Sequence, residues 1–227
     1  DLQGWAYDYP AAFFEQRVHR IRRQMPDTLE IADAAALLRS AKRPVIVAGG
    51  GVQYSGAVAE LTAFAENHNI PVVETIAGRA NMLATHPLNT GPLGVTGSDS
   101  ANTIAGKADV VLAVGTRLQD FTTGSWTVFA PDARLIAGRH DAAKHRSVTV
   151  VGDARLGLQT LGDALGDYRA PAEWTETAQK ERNLWDDYVV ANVAVGNRPN
   201  SYAQAIGVVN ALCHPRDRVV TAAGGLP

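Results

Sequence analysis

Cysteine is almost absent from this sequence, since the 227 residues contain only Cys213. A single thiol cannot form an intrachain disulfide, so nothing points to an oxidising compartment. Cys213 falls in the apolar pattern of a predicted helix, and we interpret it as a small core residue. No apolar run approaches the ~20 residues that span a bilayer, and there is no signal-peptide pattern. We therefore expect a cytoplasmic protein without a membrane partner.

An excess of charge of either sign is also missing. Lys and Arg total 21, Asp and Glu total 23, and the formal net charge is −2. This balance gives no electrostatic reason to expect a nucleic acid partner. One basic cluster lies near the start of the chain, and we interpret it as a solvated or subunit-facing surface: Arg17, His19, Arg20, Arg22 and Arg23. Apolar residues at 46% and charged residues at 19% are typical of a globular protein.

Motifs that carry catalysis are absent as well. The sequence contains no P-loop, no nucleophile elbow and no catalytic cysteine arrangement. His86, His140 and His145 lack the spacing of metal ligands, so we predict that they are solvated or act as caps. We therefore name no catalytic residue and no metal ligand in this chain.

Short apolar runs alternate with amphipathic helical patterns between residues 27 and 167. This alternation predicts a doubly wound, mostly parallel α/β domain of Rossmann type with helical flanks. The stretch from Ala77 to Ser100 is rich in Gly, Pro, Asn and Thr, and it predicts mostly loop with a short helix. The predicted strands are 44–48, 70–75, 109–115, 134–137 and 148–151, and the predicted helices begin near 27, 57, 100 and 154.

The flanks of this domain have a different character. We interpret residues 1–26 as a linker from a missing N-terminal domain and residues 168–200 as a charged helical spacer. Residues 201–227 combine a helix with a predicted strand at 218–223, and they predict the truncated start of a further domain. The sequence begins at Asp1 without Met and stops at Pro227, so we expect a segment of a longer protein.

Two glycine-containing turns follow predicted strands, where open parallel sheets bind ligands. Gly49-Gly50-Gly51 would suit a phosphate, with Glu74 near a ribose, but Tyr54 stands where a dinucleotide fingerprint has glycine. The alternative is that these glycines only allow a tight turn. Gly115-Thr116-Arg117 is the second turn. These three residues contact a nucleotide if one is bound; alternatively, Arg117 pairs with Asp120 or Asp99.

Motifs in the middle of the chain resemble the central domain of thiamine diphosphate enzymes of the acetolactate synthase and pyruvate oxidase type. The segment Lys42–Gly51 is similar to the first strand of that domain. The other matching elements are His86-Pro87, Gly91, Gly94, Gly97, Ala101-Asn102 and Ala108–Arg117. Ala137–His140 departs from the usual pattern before Asp141. That departure weakens any claim about ligand contacts there.

Further segments resemble the branch of this family that hydrolyses a ring carbon–carbon bond of a cyclic 1,2-dione in inositol catabolism. They are Ala6–Pro10 with Phe13-Phe14, Asn89–Ser98, Leu118–Ser125 and the tail from Tyr202. Two alternatives remain open. One is the middle domain of a carboligase of the acetolactate synthase type, and the other is a stand-alone FAD- or NAD-binding module.

The resemblance implies thiamine diphosphate and Mg²⁺ in the intact enzyme and none in this fragment, which we expect to be inactive alone. Gly224 and Gly225 would lie near the thiamine diphosphate of the parent. Relatives carry FAD, ADP or nothing in this domain, and we expect an empty site here. The implied partners are the missing N- and C-terminal domains and other subunits of the same homo-oligomeric enzyme.

Overall fold

The computed structural model describes residues 4–138, 147–194, 201–214 and 216–219. The strands are β1 Pro44–Ala48, β2 Val72–Glu74, β3 Asn89–Pro92, β4 Val110–Val114, β5 Arg134–Ala137 and β6 Val148–Thr149. The helices are α1 Thr28–Ser40, α2 Gly51–Tyr54, α3 Val58–His68, α4 Asp99–Lys107, α5 Asp120–Thr123, α6 Ala154–Leu165, α7 Ala172–Val193 and α8 Tyr202–Leu212. Short 3₁₀ turns cover Ala11–Phe14 and Ile76–Gly78.

The six strands form one sheet in the order β3-β2-β1-β4-β5-β6. Every neighbouring pair is parallel. This is the strand order of a doubly wound Rossmann sheet, so the predicted fold class is confirmed. The chain reverses its direction of winding between β1 and β4, and such a switch point is where open α/β sheets place ligands.

Both faces of the sheet are covered, which explains the uninterrupted apolar runs of the central strands. One buried cluster packs α1, α3 and α6 against side chains such as Ile46 and Leu112. The other packs α4 and the start of α7 against the opposite face, through Val45, Val47 and Val111. All residues of β1 and β4 are buried.

The prediction of loop between Ala77 and Ser100 was wrong in part, because β3 lies there and pairs with β2 at the sheet edge. Three of its four residues, Asn89, Gly91 and Pro92, are of types that are depleted in strands. Proline is tolerated at an edge strand, and Gly91 adopts a φ of 115° beside a shift in register. Pairing with β2, rather than the strand propensity of its own residues, therefore makes this segment a strand.

The interpretation of residues 168–200 as a spacer was wrong for the first half of α7. Trp174, Thr175 and Ala178 are buried, and Trp174 belongs to the core cluster on the α4 face. Its indole N–H donates to Pro44 O at 2.8 Å. The packed domain therefore continues past residue 167, while the division of the chain into four segments stays a prediction.

Helix α8 packs against the end of α7. The Gln204 side chain donates to Ala194 O, and a Cβ at Gly207 would lie 2.7 Å from Val193 O. Tyr202, Ile206 and Leu212 remain exposed.

Cys213 follows the helix and is half-buried, so its interpretation as a core residue was wrong. Of the predicted strand 218–223, Arg218 and Val219 are described and form no strand; the rest lies outside the described residues.

The N-terminal segment is exposed from residue 4 to residue 25. Tyr7, Tyr9, Phe13 and Phe14 contact one another, with ring centroids 4.7–6.4 Å apart. The predicted basic cluster of residues 17–23 is exposed, as expected for a surface.

Among the described helices, none is long and apolar enough to cross a membrane.

Replacing Trp174 with Ala tests whether α7 belongs to the core. We expect W174A to lower the free energy of unfolding by about 3–5 kcal/mol, because it leaves a cavity and an unpartnered Pro44 carbonyl. The matched control is W5A, at a tryptophan that is 78% exposed, with an expected change within about 0.5 kcal/mol. Urea unfolding followed by circular dichroism measures both. Equal effects of the two substitutions would show that α7 is a spacer.

Candidate functional site

A cleft of about 320 Å³ opens at the carboxyl ends of β4 and β5, between α2 and the start of α6. We call it the carboxyl-edge cleft. Its walls are mainly apolar, from side chains that include Leu112, Val114, Ile136, Leu158 and Leu161. The polar lining consists of backbone together with Ser55, Thr116, Arg117 and Asp153.

The turns after β1 and β4 are in direct backbone contact beside this cleft. The Gly51 N–H donates to Gly115 O at 2.8 Å, and the Gly49 N–H donates to Val114 O at 2.9 Å. A Cβ at Gly49 would clash with Gly115 O and lie 2.6 Å from Thr116 Cβ. A Cβ at Gly115, whose φ is +59°, would lie 2.6 Å from Val52 N. Only glycine permits this approach.

These contacts bear on the phosphate-binding hypothesis for Gly49-Gly50-Gly51. Two of the three N–H groups are already used by the β4 turn, and the following helix α2 has only four residues. A phosphate site needs free N–H groups at the start of a helix. The contacts therefore favour the alternative interpretation, in which the glycines allow two turns to cross.

Glu74 does not face the cleft as a ribose ligand would. Its carboxylate is buried and accepts from the Met82 N–H at 2.9 Å, with the Asn89 amide 3.5 Å away. Burial raises the pKa of this carboxyl above its ordinary value, although the Met82 N–H, the Asn89 amide and the Arg79 charge each act to lower it. Glu74 therefore holds the loop between β2 and β3.

Gly115, Thr116 and Arg117 all line the cleft. The Arg117 guanidinium is exposed and donates to Gln119 Oε1 at 3.1 Å, in place of the predicted pairing with Asp120 or Asp99. The Thr116 hydroxyl accepts from the Leu118 N–H at 3.3 Å. Leu118 has a φ of +48°, so the turn after β4 holds a strained residue. Gly224 and Gly225 lie outside the described residues.

Asp153 is a residue of the cleft that the sequence analysis missed. Its Oδ1 accepts from the Arg155 and Leu156 N–H groups and caps α6, and its Oδ2 lies 2.6 Å from Arg23 Nη1. Burial acts against its ionisation, but the hydrogen bonds from Arg23, Leu156 and Ser55 lower the pKa of Asp153 below 3.8. Its position directly before a helical pattern was the available signal.

The histidine prediction is tested only at His86. Its Nδ1 accepts from the Leu88 N–H, and its Nε2 lies 3.1 Å from Glu66 Oε1, so it holds the turn before Leu88. His140 and His145 lie outside the described residues. In the described parts of the chain, no group of three or more His, Cys, Asp or Glu side chains could hold a metal ion.

The family described as thiamine pyrophosphate enzyme, central domain, matches residues 31–161. Because this match covers more than half of the chain, the protein belongs to that family. The predicted resemblance is thereby confirmed.

Individual relatives are more specific. The 3D-(3,5/4)-trihydroxycyclohexane-1,2-dione hydrolase of Geobacillus thermodenitrificans is 48% identical over 170 residues, which are 74% of this chain and 27% of that protein. Hydrolase 1 of the same name from Bacillus cereus is 41% identical over 192 residues, which are 82% of this chain and 30% of that protein. The chain thus spans about 30% of the length of these relatives.

A solved structure supports the fold. It is that of a putative thiamin diphosphate-dependent enzyme from Mycobacterium smegmatis, with a TM-score of 0.53 and 23% identity. The match covers 67% of this chain and 30% of the other. At this identity the similarity shows a shared fold only.

Two glycine-to-alanine substitutions beside the cleft should have opposite effects. G115A is expected to destabilise the domain by at least about 1–2 kcal/mol, because alanine is strained at positive φ and would clash with α2. G157A is expected to stabilise it by about 0.5–1 kcal/mol, because Gly157 lies within α6 and its added Cβ would meet nothing within 4 Å. Urea unfolding measures both. A tolerated G115A would contradict the crossing of the two turns.

The buried Glu74 carboxyl predicts a pH dependence. Since its pKa is raised in the folded state, its contribution to stability is full below the unfolded value of about 4.3 and is lost as pH rises through the folded value. The free energy of unfolding of wild type minus that of Glu74→Gln should therefore fall as pH rises above this unfolded value. Urea titrations between pH 4 and 7 test this, and a difference that grows with pH would refute it.

Proposed function

We propose that the full-length protein containing this domain is a thiamine diphosphate-dependent hydrolase that opens the ring of 3D-trihydroxycyclohexane-1,2-dione in inositol catabolism. The observation that carries the proposal is the 48% identity to the Geobacillus hydrolase over 74% of this chain. The reaction adds water across a ring carbon–carbon bond of a cyclic 1,2-dione and yields an open-chain acid.

In this proposal the domain is a scaffold and not the catalytic part. The described residues supply no set of carboxylates or imidazoles for Mg²⁺, so we derive no catalytic step from them. Among the carboxylates of the described residues, the one with a raised pKa is Glu74, and it is occupied by the loop it holds. We assign thiamine diphosphate and Mg²⁺ to other parts of the enzyme, and we infer that Gly224 and Gly225 lead towards that cofactor.

We further propose that the carboxyl-edge cleft carries no flavin or other nucleotide. Two glycine N–H groups beside it are already used, and the start of α6 is capped by the anionic Asp153, which would repel a phosphate. Ring hydrolysis also transfers no electrons, so the reaction requires no redox carrier. If a nucleotide does bind, Gly115, Thr116 and Arg117 are the residues placed to contact it.

The parent enzyme is proposed to be a cytoplasmic homo-oligomer in which this domain contacts flanking domains and other subunits. Exposed aromatic side chains at Trp5, Phe13 and Phe14 support such contacts, because contiguous exposed apolar surface marks interaction sites. The near-neutral charge balance gives no support for a nucleic acid partner.

The test uses the purified full-length protein with thiamine diphosphate and Mg²⁺. We expect the cyclic dione to gain the mass of one water, as followed by mass spectrometry, and we expect no acetolactate from pyruvate. The controls are the same enzyme without thiamine diphosphate and the 227-residue chain alone, both expected to be inactive. Acetolactate formation without dione hydrolysis would overturn the proposal in favour of a carboligase. A flavin absorbance band in the purified protein would overturn the empty cleft separately.

A further inference from the structure

The N-terminal segment touches the domain at the wall of the carboxyl-edge cleft. Arg23 Nη1 lies 2.6 Å from Asp153 Oδ2, and the Asp153 N–H donates to Gln24 O at 2.8 Å. The Asp153 side chain is 10% exposed, whereas the Arg23 side chain is 39% exposed. A backbone bond and an ion pair therefore join the two segments at one residue.

Gly152, the residue before Asp153, packs directly against the same segment. A Cβ at Gly152 would lie 2.9 Å from Pro26 N and 3.1 Å from Gln24 O, so the backbones are packed without a side chain between them. On the other side of Gly152, the Val151 N–H donates to Glu30 Oε2 of α1 at 2.9 Å. Residues 24–30 thus hold the N–H groups of Val151 and Asp153.

The same short wall forms part of the cleft, because Val150, Gly152 and Asp153 line it. We propose that residues 23–26, here called the strap, brace this wall from outside, so that the position of the N-terminal segment and the shape of the cleft are coupled. Asp153 is the positioning residue of this brace, and its ionic anchor is Arg23. The proposal does not depend on the enzyme's substrate or on a ligand in the cleft.

The two roles of Asp153 can be separated by substitution. Asparagine is about as good an N-cap as aspartate, so D153N keeps the cap of α6 while it removes the charge that holds Arg23. The matched control is R155Q, which removes the ion pair between Arg155 and Glu60, 2.7 Å apart, in the same first turn of α6. Arg155 does not touch the strap.

Trypsin reports whether the strap is attached. Cleavage after Arg23 requires the strap to leave the wall, whereas Arg20 lies in the exposed segment and serves as an internal reference. In the 227-residue chain, we expect D153N to raise the rate of cleavage after Arg23 relative to that after Arg20 by about two- to fivefold, the range for partly exposed ion pairs. R155Q should leave the ratio unchanged. An unchanged ratio in D153N would overturn the proposal.

Hydrogen exchange measures the effect of the strap on the cleft wall. It uses a second variant, R23Q, so that the test stands even if D153N perturbs α6. R23Q changes only the exposed partner, and we expect it to speed exchange of the Asp153 amide, which donates to Gln24 O, about two- to fivefold. Exchange within residues 158–165 of α6 should stay as in wild type, which shows that the helix remains folded. If R23Q leaves the Asp153 amide as protected as in wild type, the strap does not brace the cleft and the proposal fails.

Discussion

The crossing of two backbone turns at the centre of the sheet is the constraint on which the rest of the structure depends. Gly49 and Gly51 after β1 lie against Gly115 after β4, and a side chain at any of the three would meet backbone. These strands are the neighbours between which the winding direction changes. The contact draws the two turns together at the one edge where the fold leaves a crevice, and the cleft forms beside it.

The central part of the fold could be predicted from the sequence because its signals are local. The apolar runs at Pro44–Ala48 and Arg134–Ala137 coincide with strands, and the pattern beginning at Ala154 coincides with α6. The edge strand β3 could not be predicted, since three of its four residues disfavour strands and only pairing with β2 makes it one. The burial of Trp174 was not predicted for a related reason. Charged residues occur along the whole of α7, so the sequence does not reveal that its first turns are buried.

The candidate site was less predictable than the fold. Gly115, Thr116 and Arg117 were expected at a ligand edge and do line the cleft, because strand ends mark that edge in any parallel sheet. Whether the N–H groups of the Gly49–Gly51 turn are free depends on the carbonyl groups at the end of β4, which are more than 60 residues away. The glycine segment alone cannot show this. Asp153 is more than 120 residues from Arg23 along the chain, so their contact leaves no local pattern.

Helix α8 is held to the domain less firmly than the helices that pack on the sheet. It is tied to the domain by contacts with the end of α7, including those of Gln204 and Gly207, while Tyr202, Ile206 and Leu212 remain in water. Its capping box of Ser201 and Gln204 stabilises its first turn, and Gln204 is the residue of this helix that is buried. The cooperative unit is therefore the sheet with its packed helices, and α8 is a peripheral segment that opens at lower free energy than the core beneath it.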